Sequence, residues 1–190
     1  MKKLLVLLPL LAIISCTPDK VLFDELTLKG EIAYFDSKLY TGLTFDVYDN
    51  GHLSMELNYK DGKQNGLCKS WYENGLLEDE YNWKDGKLNG LCKSWYENGQ
   101  LEREWNYQDG EKHGLNKTWY ENGLLKHAYN WKDDKADGLW KSWYENGQLS
   151  LEWNYQDGQF NGLCQSWYND GALSSAEIYK DNVLIKVIFR

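Results

Sequence analysis

The residues that usually fill a globular core are in short supply. Val and Ile are scarce, Phe is limited to 5 and Pro to 2, whereas Trp and Tyr number 10 and 14. Trp and Tyr pair a large apolar body with a polar tip, so they suit a half-wet β surface better than a deep core. Basic residues are outnumbered, 21 against 29 acidic, for a formal charge of −8. Such a chain repels phosphate backbones and anionic head groups, which argues against a nucleic-acid partner and against lipid contact through the folded surface. Gly-x-Ser-x-Gly, phosphate-loop and Cys-x-x-Cys motifs are missing. The expectation is a protein without catalytic residues or cofactor.

What the chain does have is periodicity. Gly42, Gly66, Gly90, Gly114, Gly138 and Gly162 recur every 24 residues, and Gly51, Gly75, Gly99, Gly123, Gly147 and Gly171 form a second comb behind them. Self-similarity at such a period marks a supersecondary unit that must stack to bury its apolar face. Each unit holds two short runs, Leu67 to Glu73 and Leu76 to Lys84, closed by Asn74-Gly75 and Asp85-Gly86. These dipeptides favour two-residue hairpin loops, and the glycines leave no helical spacing. The predicted fold is all-β, an elongated single-layer antiparallel meander of about six 24-residue hairpin repeats.

Register follows from charge. A two-residue Asn74-Gly75 loop sets Lys69 opposite Glu80, Lys93 opposite Glu104 and Lys141 opposite Glu152, whereas one residue more sets Lys93 against Arg103. Opposite charges across strands stabilise, so the first register is preferred. The same rule at Asp85-Gly86 puts Trp83 opposite Leu88 and Tyr81 over Gly90, a ring covering bare backbone. One face then carries Cys68, Ser70, Tyr72, Leu77, Tyr81, Trp83 and Leu88 and is expected to be packed. The other carries Leu67, Lys69, Trp71, Glu78, Glu80 and Asn82. Equivalent cysteines, Cys68, Cys92 and Cys164, are two strands from their neighbours, roughly 9.6 Å or more apart, beyond disulfide reach of about 7 Å.

Residues 1–15 read as a leader. Lys2-Lys3 precede an uncharged stretch from Leu4 to Ile14, followed by Ser15-Cys16. The run is too short to span a bilayer as a helix, and a Cys at that place resembles the lipobox of bacterial lipoproteins. The organisation expected is a signal peptide over 1–15, lipidated Cys16 and a tether over 16–30, and a repeat array with a C-terminal capping strand over 31–190. Localisation at the bacterial cell envelope follows, in the outer membrane if two membranes are present, with the lipid as the only membrane contact.

Trp71-Tyr72-Glu73-Asn74-Gly75, Trp95-Tyr96-Glu97-Asn98-Gly99 and Trp143-Tyr144-Glu145-Asn146-Gly147, with the Leu and the Tyr-x-x-Gly-x-x-x-Gly pattern (Trp83 in place of Tyr in the first) that come after them, resemble the bacterial variant of the MORN repeat, grouped as the YwqK-like antitoxin family. The resemblance spans roughly residues 42–182. It implies a repeat that contacts membrane lipids or other proteins, or an antitoxin or immunity-like partner of a protein toxin. An envelope lipoprotein is out of reach of an intracellular toxin, so an unknown protein partner is the preferred expectation.

Candidate chemistry is sparse. His52, His113 and His127 occupy different repeat positions, so they form neither a cluster nor a ladder, and Glu80, Glu104 and Glu152 each face a lysine. The Asp-Gly turns lack the alternating acids of an EF-hand. The file Trp71, Trp95, Trp119, Trp143 and Trp167 stands out on the charged face, either as packing or as a ligand-contact groove. A protein-binding scaffold is the leading expectation, and a carbohydrate-contacting surface is a further alternative.

Overall fold

The computed structural model describes residues 18–190. It is all-β and elongated, with one 18-stranded sheet and a three-stranded sheet formed by Thr27–Lys29, Ile32–Phe35 and Lys38–Leu39. The leader and Cys16 lie outside the described residues. Successive strands pair antiparallel along the array, and Lys20–Leu22 joins its N-terminal edge parallel to Gly42–Val47. A representative unit is Gly66–Trp71, Leu77–Lys84 and the short Lys87–Leu88, which leads into Gly90–Trp95 of the next.

The charge register holds. Lys69, Lys93 and Lys141 face Glu80, Glu104 and Glu152, with N–O distances of 2.9, 3.4 and 2.8 Å. The loop that produces it differs from the expected one. Gly75 has φ 83°, but Asn74 does not share the positive φ that a type I′ turn needs at both positions. The Tyr72 carbonyl accepts the Gly75 N–H at 2.9 Å, and the Tyr72 N–H donates to the Leu76 carbonyl at 2.9 Å. Glu73-Asn74-Gly75 is thus a three-residue loop with glycine in its left-handed position. Register then shifts beside Trp71, which faces Leu77 while Ser70 faces Asp79. Glu78 is the surplus residue of a β-bulge, and the bulge offsets the odd loop. Asn74 serves through its side chain: Oδ1 accepts the Leu76 N–H at 2.9 Å.

The bulge also reassigns two side chains. Leu77, as the cross-strand partner of Trp71, shares the Trp face, not the Tyr72 face as expected. The Ser70 hydroxyl reaches Glu78 at 3.3 Å and Asp79 at 3.2 Å, which brings Glu78 to the Ser70 side instead of the opposite one.

Asp85-Gly86 is a true type I′ turn, with φ 51° and 81°, and Trp83 faces Leu88. Farther along, Glu80 faces Lys93 and Asp79 faces Ser94. Two extra residues on the second strand therefore bring Tyr81 opposite Cys92, not Gly90. The cover over Gly90 comes from Tyr107 of its own hairpin, as Trp83 covers Gly66.

The face expected to be packed holds Cys68, Cys92, Asn116 and Cys164, with Ser94 and Ser142, all buried. We call it the inner face. Among the described residues no second layer covers this part of the sheet, and rings of the same face pack over it: Tyr129 stacks on Trp140 at 4.5 Å and Tyr155 lies 4.8 Å from Phe160. All three described cysteines are free. At the N-terminal end, Val21, Ala33, Tyr40 and Tyr59 form a compact cluster with Leu26, Phe35 and Leu57. The segment expected to be a tether thus contributes Val21 and Leu26 to a folded cap. Ile32–Phe35 and Lys38–Leu39 of this end form a hairpin turned at Asp36-Ser37. At the other end Val183–Phe189 pairs with Leu173–Lys180 through two register shifts, and all seven of its residues are exposed.

Candidate functional site

Before a repeated side chain can be given to a ligand, its part in the framework must be known. The tyrosines after the Trp file join one repeat to the next: Tyr48, Tyr72, Tyr96, Tyr120 and Tyr144 donate to the carbonyls of Trp71, Trp95, Trp119, Trp143 and Trp167 at 2.6–2.8 Å. The turn asparagines do likewise, as Asn74 Nδ2 donates to the Glu97 carbonyl at 3.1 Å. A third set works within the repeat, where Asn106 Nδ2 donates to the Leu115 carbonyl at 2.6 Å. Their recurrence is explained by these framework bonds.

The Trp file is only partly absorbed this way. Its carbonyls receive the tyrosine bonds, but its rings do not. All five rings are half-buried and sit across from Leu77, Leu101, Leu125, Leu149 and Leu173. Among the described residues no ring of the file contacts another. They form a stripe of separate Trp–Leu pairs on the outer face, one pair per repeat, bordered by the Lys–Glu pairs. Beyond those pairs lie Leu67, Leu91, Leu115 and Leu163, exposed at 37–42%.

The inner face carries a different feature, which sequence reasoning passed over. At the two positions of the bulge, one repeat has Glu78-Asp79, the next Glu102-Arg103 and the next Lys126-His127. Charge reverses there within two repeats while the framework around it is constant. A cavity of about 290 Å³ opens at this place, lined by Tyr96, Glu102, Arg103, Trp105, Thr118, Trp119, Lys126, His127 and Tyr129. Arg103 pairs with Glu102 at 2.8 Å and lies 5.5 Å from the Trp105 ring centre. Lys126 sits 5.2 Å from the Tyr120 ring centre. His127 Nδ1 is 2.8 Å from Ser142 Oγ, and burial, then the Lys126 charge, lowers its pKa. The signal in the sequence is a pair of adjacent repeat positions at which charge changes sign between repeats.

The remaining histidines stand apart: His52 Nδ1 lies 2.8 Å from the Glu73 carbonyl and His113 Nδ1 lies 3.3 Å from Asp133. Among the described residues no group of three or more His, Cys, Asp or Glu is placed to hold a metal.

The family model described as MORN repeat variant matches residues 40–61, 64–85, 88–109 and 136–157. These matches support a MORN-repeat protein, a class of repeats that generally bind proteins or membranes and whose all-β fold is typically non-catalytic. The unmatched stretch between the third and fourth matches has the same build, with strands Gly114–Trp119 and Leu125–Lys132 and the same bulge. No curated protein matches the chain.

Proposed function

We propose that this protein is a non-enzymatic MORN-repeat scaffold that binds a protein partner through its outer face and is held at the cell envelope by a lipid on Cys16. One observation carries the reading. The Tyr and Asn ladders satisfy the framework and leave the Trp–Leu stripe as an unspent apolar surface that crosses five repeats. Large rings on a charged border are the composition of an interface core with a polar rim. The leader and Cys16 supply the anchor: one diacylglyceryl group gives an otherwise acidic chain its membrane affinity.

The test has two parts. Labelled palmitate should enter the wild type and not Cys16→Ala, and the variant should leave the membrane pellet. A cytosolic, unlabelled wild type would defeat the envelope reading and favour an antitoxin-like role. Capture from the envelope fraction should then yield a protein retained by the wild type and lost with Trp95→Ala/Trp143→Ala. Retention of a glycan instead would favour the carbohydrate-contacting alternative.

A further inference from the structure

We infer that the inner-face cavity around Arg103 and Lys126 is a receptor site for a singly charged carboxylate attached to a flat apolar body. Trp119 of the outer stripe also lines it, but the site is centred on the inner-face cations and goes beyond the scaffold reading. Four observations converge on one window. The basic residues Arg103, Lys126 and His127 stand together in a chain of formal charge −8, at positions where an earlier repeat has Glu78 and Asp79. They line a cavity of about 290 Å³ whose flat walls are Trp105 and Tyr129. The two cations are mounted on rings, Arg103 at 5.5 Å from Trp105 and Lys126 at 5.2 Å from Tyr120, which orders them before a ligand arrives. Finally, the local bonding is incomplete. The hydroxyls of Ser70, Ser94, Ser142 and Ser166 all have hydrogen-bond partners, whereas the equivalent Thr118 Oγ1 is buried with none.

Charge sets the ligand class. Glu102 is held by Arg103 at 2.8 Å and by Ser94 at 3.1 Å, so the two cations leave the site about one positive charge in excess. That matches a monoanion. Burial raises the pKa of neighbouring Tyr96, with Glu102 and Glu121 adding to it and Arg103 opposing; the second negative charge of a dianion such as a phosphate monoester would find no cation to match it. Arg offers a planar fork that suits carboxylate geometry. The ring walls favour a flat body beside it, stacked or edge-on.

Calorimetric titration of the full chain with phenylacetate tests this directly. Saturable binding is expected, at least ten-fold tighter than that of the neutral isostere phenylacetamide. Arg103→Asp/Lys126→Glu should lose ten-fold or more with its melting temperature unchanged, since Asp and Glu already occupy these places in the Leu77–Lys84 strand. A blocked peptide with Phe beside Glu, and its Gln counterpart, separate the sources. Charge-dependent binding tighter than phenylacetate indicates an acidic protein segment; binding of phenylacetate alone indicates a free small acid. Equal affinity for acid and amide, wild-type affinity in the double variant, or no saturation by either acid overturns the proposal. Trp95→Ala/Trp143→Ala should still bind phenylacetate, so failure of the scaffold reading and failure of this one are separate results.

Discussion

Replacing Tyr96 by Phe isolates one rung of the ladder that joins the repeats. The ring stays, so no cavity forms; only the hydroxyl that donates to the Trp119 carbonyl at 2.7 Å is lost. Removal of a neutral hydrogen bond costs about 1 kcal/mol net, and the abandoned, partly buried carbonyl raises this to about 1–2 kcal/mol. In a chain of this length each kcal/mol lowers Tm by roughly 2–4 °C, which gives a fall of about 2–8 °C. Tyr168 is the internal control. Among the described residues its hydroxyl bonds no Trp carbonyl, and it is 58% exposed, so Tyr168→Phe should move Tm by less than about 1 °C, as surface changes usually do. Urea melts followed by Trp fluorescence would measure both. A neutral Tyr96→Phe, or an equal loss in Tyr168→Phe, would refute the idea that hydroxyl–carbonyl bonds hold adjacent repeats together.

Four further outcomes are expected. Tyr96→Ala should cost about 3 kcal/mol, more than Trp95→Ala, because the tyrosine loses both ring packing and a rung; the reverse order in denaturant melts would exchange the roles of the two faces. Burial pushes the thiols of Cys68, Cys92 and Cys164 up in pKa, so they should resist alkylation at pH 8 until denaturant is added, and reductant should leave Tm unchanged. His127 has a folded pKa below its ordinary 6.5; the unfolded chain then takes the proton more readily, so its contribution falls as pH drops through about 6.5 and should vanish in His127→Gln when melts at pH 7.5 and 5.5 are compared. Gly62→Ala should destabilise far more than Gly51→Ala by thermal melt: both have positive φ, but a Cβ at Gly62 would lie 2.9 Å from the Ala33 carbonyl oxygen and 2.8 Å from Ile32 Cγ2, while Gly51 has open space.

Glycine spacing and Asp-Gly turns made the all-β array legible, because type I′ geometry at Asp85-Gly86 is a local property of two residues. The Lys–Glu pairs made the register legible through cross-strand charge. The bulge at Glu78 was not, since a three-residue loop plus one extra residue yields the same pairing at Lys69 as a two-residue loop alone. That cancellation misplaced Leu77 and Glu78. Tyr81 was misplaced for a related reason: between Leu88, which faces Trp83, and Lys93, which faces Glu80, the strand gains two residues on its partner, which preserves each side chain's face and so leaves no trace in the alternation. The Trp file was visible from its repetition, and its leucine partners became visible only with the bulge. Arg103, Lys126 and His127 were hidden by the reverse logic. A search for repeated residues overlooks a position whose meaning lies in its variation.

The scaffold reading is tested most directly by the affinity of the captured envelope partner for immobilised protein, measured for the wild type, Trp95→Ala/Trp143→Ala and Arg103→Asp/Lys126→Glu at matched folding by circular dichroism. The Trp–Leu stripe account predicts at least a ten-fold loss in the tryptophan pair, as for truncated interface anchors worth above about 1.4 kcal/mol. Wild-type affinity in that pair would contradict it.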